Sequence, residues 1–183
     1  ITNILEKNCD LYGEEICLVE INPQLPETRR ITWKEYELIQ PLHEVASRQE
    51  ITWAVFNEKA NRVANMLIAR GIVKGDKVAI LLMNCLDWLP IYFGILKTGA
   101  LAVPMNFRYS ADEIKYCLDL ADVDVLVFGP EFISRMDAIE KDIPSVKMFF
   151  VGKDGPAYTE DVLNLMGFCS SSAPPIALDE NDD

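Results

Sequence analysis

KVAILLMN at residues 77–84, CLDWLPIYFGILKT at 85–98 and GALAVPMNFR at 99–108 together decide the fold. The two outer pieces carry apolar runs too short for a helix, whereas apolar residues in the middle piece recur three and four positions apart. The order predicts strand, helix, strand. Runs that are apolar on both faces are typical of parallel strands covered by helices on both sides, because an antiparallel sheet with one wet face would alternate.

Similar patterns extend the α/β class to the rest of the chain. We predict a mainly parallel sheet flanked by helices, with strands at 77–83, 100–104, 123–128 and 146–151. A small antiparallel strand pairing is predicted near the N terminus, joining Ile16–Ile21 to either 29–32 or 50–52. Helix starts are expected at Thr52, Asn84, Tyr109-Ser110, Gly129-Pro130 and Thr159-Glu160-Asp161, besides a short helix near Thr32.

A three-residue echo precedes the first long helix, since Ile31-Thr32-Trp33 recurs as Ile51-Thr52-Trp53. Thr32 and Glu35 have the spacing of a capping box, in which each bonds a free amide of the other's turn. A short helix is therefore expected at 33–40, ended by Pro41. The second copy has Val55 at the glutamate position, so its cap should be weaker.

Composition limits the class of protein. A chain of 183 residues, half of them hydrophobic, builds one domain or part of one. The excess of 29 acidic over 17 basic residues gives a net charge of -12, which argues against nucleic acid and anionic membrane surfaces as partners. The charge-free runs fall short of the ~18–20 residues of a membrane span. Five cysteines without a C-x-x-C pair indicate reduced thiols and a cytoplasmic location.

The C-terminal end differs in character from the rest of the chain. Residues 1–169 read as one folded unit, whereas 170–183 form a polar, acidic strip that cannot build a core. We interpret this strip as a linker-like tail leading to an absent remainder.

Polar side chains that could carry chemistry are few. His43 stands beside Glu44 without the three or four convergent ligands of a zinc site, so a surface histidine is expected. The five cysteines occupy mostly core-type positions and are expected to be buried thiols. Asp119, Asp122 and Asp124 lie before a strand, whereas α/β sheets bind ligands at the carboxyl ends of strands. A solvated turn is the better interpretation.

One anion-binding candidate remains. The helix after the strand at 123–128 begins at the carboxyl edge of the sheet, where its free amides point outward, and Arg135 lies within two turns. A surface arginine is the plainer alternative. Gly71 and Gly75 follow a helix and precede a strand, which is the wrong order for a phosphate-binding loop. The residues alone predict an α/β scaffold without an assembled active site.

Several motifs in order, however, resemble one family. They are Ile51-Thr52-Trp53, Asn57-Glu58-Lys59-Ala60-Asn61-Arg62-Val63-Ala64, Gly75-Asp76-Lys77-Val78-Ala79, Leu96-Lys97-Thr98-Gly99-Ala100 and Val103-Pro104-Met105-Asn106. This succession is similar to the N-terminal subdomain of AMP-forming acyl-CoA synthetases, the adenylate-forming, AMP-binding family that also contains luciferases and the adenylation domains of peptide synthetases. Against that pattern, 33–50 is an inserted segment.

The resemblance implies a ligase that activates a carboxylic acid with ATP and transfers it to CoA, with Mg²⁺ as the metal. The abundant apolar surface expected for this chain favours a fatty or aryl acid. The family's phosphate loop and catalytic lysine come later than Asp183, so residues 1–183 alone are expected to be inactive and to bind neither nucleotide nor metal. Arginines near the helix at 131–140 meet CoA phosphates in acetate-activating relatives, which makes Arg135 the one candidate contact with CoA.

Two other functions stay open at this point. The chain could be a stand-alone, non-catalytic α/β interaction module, which would explain the absent catalytic motifs. It could also belong to an adenylation domain that loads a carrier protein instead of CoA. The sequence leaves a homodimer open as well.

Overall fold

The computed structural model describes residues 2–21, 28–33, 36–41 and 48–178, and for 28–33 and 36–41 it describes the backbone. Helices and strands alternate through most of this range. The helices are α1 (Thr2–Tyr12), α2 (Trp53–Ala69), α3 (Trp88–Lys97), α4 (Ala111–Ala121), α5 (Ile133–Ile139) and α6 (Val162–Gly167). The strands are β1 (Ile16–Ile21), β2 (Thr28–Trp33), β3 (Tyr36–Pro41), β4 (Arg48–Thr52), β5 (Lys77–Leu81), β6 (Leu101–Pro104), β7 (Val125–Phe128), β8 (Lys147–Phe150) and β9 (Glu160–Asp161).

Five strands form one parallel sheet in the order β6-β5-β7-β8-β9. Ala79 of the central strand β5 pairs with Val103 on one side and with Leu126 on the other. The parallel pairing of the strands predicted at 77–83 and 100–104 is therefore confirmed, as are the strands at 123–128 and 146–151. The two-residue strand β9 was not predicted, because two residues carry no period.

Alternate residues of the central strands face two separate apolar layers. Val78 and Ile80 of β5 face a cluster built by α2, α3 and α6, whereas Ala79 and Leu81 face a cluster built by α4 and α5. All four side chains are fully buried. Helices on both faces explain why the sequence shows continuous apolar runs and no alternation.

Helices α2 and α3 approach each other closely at Gly94. A Cβ atom at this position would lie 2.5 Å from Val63 Cγ1 of α2. Helix α3 begins later than Asn84, which is a correction to the predicted N-cap, since Asp87 occupies the cap position. Pro90 was expected to delay the helix start or to kink its first turns, and it is the third residue of α3, where its missing amide hydrogen removes no intrahelical bond.

The N-terminal strands pair outside the main sheet. β1 is antiparallel to β4, with Val19 opposite Glu50, which confirms the second of the two predicted partners. β2 and β3 form their own antiparallel pair, with Trp33 opposite Tyr36. The helix predicted at 33–40 is therefore wrong. Only two residues separate Trp33 from Tyr36, and the β-branched and aromatic residues on both sides favour a hairpin over a helix.

Helix starts and stops follow the expected side chains elsewhere. Ser110 caps α4 with a full capping box through Glu113, and Asp161 caps α6 by accepting from the amide of Asn164. Thr52 caps α2 with a 3.3 Å bond from the amide of Val55. Gly99 follows α3 with φ of +78°, the left-handed conformation that glycine adopts without strain.

Candidate functional site

A cleft of about 750 Å³ lies at the carboxyl ends of the parallel strands. β5, β7 and β8 all end there, and the residues that follow them line its floor: Leu82, Met83, Asn84, Gly129, Pro130, Val151 and Gly152. Strand β1 contributes Glu20 and Ile21 to the lining, so the cleft lies between the parallel sheet and the β1–β4 pair. Ligands of open α/β sheets bind at this edge, which makes the cleft the candidate site.

Glu20, Asp87 and Glu131 are the carboxylates that line this cleft, and the first two hold its wall. Glu20 accepts a 3.0 Å hydrogen bond from the amide of Leu86, and Asp87 pairs with Lys59 Nζ at 2.7 Å. Both bonds hold the loop between β5 and α3 in place. Glu20 and Asp87 therefore position the wall of the cleft.

The thiol of Cys85 lines the same cleft. Burial raises its pKa, and the nearby carboxylates of Asp87 and Glu20 raise it further, while backbone hydrogen bonds act in the opposite direction. The thiol is thus kept protonated at neutral pH, whereas a nucleophilic cysteine needs a lowered pKa. All five cysteines of the chain are free and only half-buried, so the prediction that most of them are buried core thiols is wrong.

Arg135 lies on α5 and outside the lining of the cleft. Its Nη1 donates to the carbonyl oxygens of Phe107 at 2.7 Å and of Tyr109 at 3.0 Å, and the guanidinium lies 5.3 Å from the ring centre of Phe132. The side chain thereby ties the loop before α4 to α5. Its predicted contact with CoA phosphate stays a prediction.

The three aspartates before β7 do not converge. Asp124 accepts from the amide of Lys77 at 2.8 Å, Asp122 pairs with Lys77 Nζ at 3.3 Å, and Asp119 pairs with Lys115. The predicted solvated turn at the amino end of the sheet is confirmed. Within the described ranges no three His, Cys, Asp or Glu side chains are grouped so that they could hold a metal ion. His43 lies outside the described residues.

Sequence reasoning missed one group of polar side chains on α2. Glu58, Asn61, Arg62 and Asn65 lie at positions i, i+3, i+4 and i+7, which places them on one stripe of the helix. Arg62 donates to Glu58, and three of the residues (Asn61, Arg62 and Asn65) donate to backbone carbonyls of residues 166–172. The spacing of these polar residues is the feature of the sequence that could have revealed the group. A polar stripe that includes a buried asparagine needs hydrogen-bond partners elsewhere in the chain.

Comparison with known proteins identifies similar chains. The model of the AMP-binding enzyme family matches residues 6–183. A medium/long-chain-fatty-acid–CoA/3-oxocholest-4-en-26-oate–CoA ligase of Mycobacterium marinum is 37% identical over 111 residues, which are 61% of this chain and 20% of the relative. The long-chain-fatty-acid–CoA ligase FadD13 of Mycobacterium tuberculosis is 35% identical over 121 residues, 65% of this chain and 24% of the relative.

Solved structures share the fold. The N-terminal domain of FACL13 from Mycobacterium tuberculosis superimposes with a TM-score of 0.75 at 23% identity, covering 99% of this chain and 39% of that structure. The anthranilate CoA ligase AuaEII in complex with anthranoyl-AMP gives a TM-score of 0.75 at 22% identity, covering 93% of this chain and 28% of that structure. The chain thus spans well under half the length of the relatives it matches.

Proposed function

The chain belongs to the AMP-binding enzyme family, and from this premise we propose that the protein it forms part of is an AMP-forming acid–CoA ligase. A carboxylate oxygen of the acid attacks the α-phosphorus of ATP, and the bond to pyrophosphate breaks. The thiol sulfur of CoA then attacks the acyl carbon, AMP leaves with the bonding electrons, and the thiol proton is released. The family match over residues 6–183 is the observation that carries the proposal.

The named relatives support the substrate class. Two of them are ligases of fatty acids and CoA, and a structural neighbour is a ligase of the aryl acid anthranilate. We therefore propose a fatty or aryl acid as the substrate and CoA as the acceptor.

Residues 1–183 serve in this proposal as scaffold. Glu20 and Asp87 hold the loop between β5 and α3, and the described residues offer no acidic cluster for Mg²⁺, so we assign no catalytic step and no metal to them. We expect the isolated 183-residue chain to show no ATP–pyrophosphate exchange. Calorimetric titration of that chain with ATP should find no micromolar affinity, and such an affinity would contradict the scaffold role.

The reaction is tested on the protein encoded by the complete reading frame. Acid-dependent exchange of pyrophosphate into ATP is measured across a panel of fatty, aryl and short-chain acids. CoA and a phosphopantetheinyl carrier protein are then compared as acceptors. We expect exchange with a fatty or aryl acid and a thioester with CoA. Exchange with no acid would overturn the ligase proposal, and a thioester formed on the carrier alone would move it to an adenylation domain.

The proposed role of Arg135 is tested in the same protein. Arg135→Ala should raise KM for CoA and leave KM for ATP unchanged. Arg108→Ala is the matched control, because Arg108 stacks on the Phe107 ring of the loop that Arg135 holds. Equal KM for CoA in wild type and Arg135→Ala would show that Arg135 holds the loop and does not bind the phosphate.

A further inference from the structure

The polar stripe on α2 meets one short segment of backbone near the end of the described chain. Arg62 Nη1 donates to the carbonyl of Cys169 at 2.6 Å, and Asn61 Nδ2 donates to that of Ser171 at 2.8 Å. Asn65 Nδ2 lies 2.9 Å from the carbonyls of both Ser170 and Ser172. Four consecutive carbonyls thus receive side-chain donors from a single helix.

The arginine of this stripe is itself held in place. Glu58 Oε1 accepts from Arg62 Nε at 3.0 Å and from Nη2 at 2.9 Å, which leaves Nη1 directed at Cys169. Nη1 also lies 3.5 Å from the carbonyl of Met166 near the end of α6. A cation near the last carbonyls of a helix complements its dipole. Arg62 therefore joins the end of α6 and the following segment to α2.

The donors of the stripe reach only backbone carbonyls in residues 169–172. Within the segment, Ser170 Oγ accepts a 3.1 Å hydrogen bond from the amide of Ser172, so this serine side chain shapes the segment as well. Asn61 is only 4% exposed, and its Oδ1 has no hydrogen-bond partner among the described residues. Leaving a buried acceptor unpaired costs free energy, and the hydrogen bond from Asn61 Nδ2 to the carbonyl of Ser171 offsets that cost.

The segment that follows continues across the domain. Residues 173–178 line a cavity of about 340 Å³ with Glu6 of α1 and Lys97 of α3. Lys97 is 2% exposed and pairs with Glu6 at 2.8 Å. A Cβ atom at Gly99 would lie 3.2 Å from Leu178 Cδ2, so the segment reaches the end of α3. We call residues 169–178 the strap.

We propose that Glu58, Asn61, Arg62 and Asn65 are positioning residues that clasp the strap on α2 and thereby fix where the chain leaves the parallel-sheet unit. The clasp acts on the backbone path and does not depend on the reaction proposed for the protein. It gives a role to four polar residues of α2 that do not line the cleft at the carboxyl edge.

Hydrogen exchange followed by mass spectrometry tests the clasp. In the double variant Arg62→Met with Asn65→Leu, amides of 169–178 should exchange about tenfold faster or more, because lost bonds lower the free energy of local opening. Amides of β5 should keep their wild-type rates. Arg70→Met is the matched control, since Arg70 lies at the end of the same helix and pairs with Glu160 and not with the strap.

Conservative replacement separates positioning from general stability. Asn65→Gln keeps the carboxamide donor and should retain part of the protection that Asn65→Leu loses. Unchanged exchange of the strap in the double variant would overturn the proposal, as would an increase equal to that of β5. If the double variant does not fold, Asn65→Leu alone decides by the same comparison, because its hydrogen bonds lie at the exposed end of the stripe.

Discussion

The five-stranded sheet and the N-terminal strand pair β1–β4 are stabilised in different ways. In β7 all four residues are buried, with helices on both faces. In β1, by contrast, Ile16, Val19 and Ile21 are 52%, 41% and 68% exposed. A strand covered on both faces is stabilised by the burial of every side chain, whereas β1 is stabilised by the partial burial of about every second one. The same length of strand therefore contributes unequally to stability.

The largest expected effect tests this inequality directly. Phe128→Ala removes a fully buried ring of β7 that packs edge-on against Phe150, and it should lower the free energy of unfolding by about 3–5 kcal/mol. Val19→Ala in β1 should cost less than about 1 kcal/mol. Urea unfolding followed by circular dichroism measures both variants. Similar losses would show that the two regions are equally packed.

A middle-sized effect is expected at the turn between α3 and β6. Gly99→Val forces a β-branched residue into φ of +78° and places its Cβ 3.0 Å from Lys74 Cγ, so it should cost about 2–3 kcal/mol. Gly99→Asn should cost clearly less, because asparagine tolerates this conformation. Thermal melts of the three proteins compare them. Equal melting temperatures of wild type and Gly99→Val would contradict a strained turn.

The smallest effect concerns the cap of α4. Ser110→Ala should cost about 1 kcal/mol, since it removes the hydroxyl that accepts from the amide of Glu113. Hydrogen bonds from the Ser110 amide and then from its hydroxyl lower the pKa of Glu113. A lowered carboxyl pKa in the folded state adds stability above the pKa of the unfolded chain, and this stability is lost as pH falls through the folded pKa.

The corresponding measurement is the fall in the free energy of unfolding as the pH is lowered. Ser110→Ala should make this fall less steep. Part of it should persist, because the hydrogen bond from the backbone amide of residue 110 to Glu113 remains. Glu113→Gln should remove the contribution of this residue altogether, since glutamine does not titrate. A fall that is equally steep in all three proteins would show that the cap does not couple to the carboxylate.

The structure of a segment could be predicted from the sequence where it depends on neighbouring residues or where both of its faces are buried alike. Strand β5 lies between two apolar layers, so its apolar run at 78–81 predicted the parallel sheet. Thr32 and Glu35 misled because capping-box spacing also occurs inside a hairpin, and nothing within five residues excludes it. The cleft and the clasp depend on residues up to 110 positions apart, such as Asn61 and Ser171, so no local pattern reveals them.

The two sides of the clasp are synthesised at different times. Asn65 leaves the ribosome 105 residues before Ser170, and at about 5–20 residues per second its partner follows about 5–20 s later. During that interval the stripe presents amides and an ion pair to water. Strands β5, β6 and β7 leave the ribosome before the strap, so the centre of the sheet has time to form first, whereas β9 and α6 immediately precede the strap.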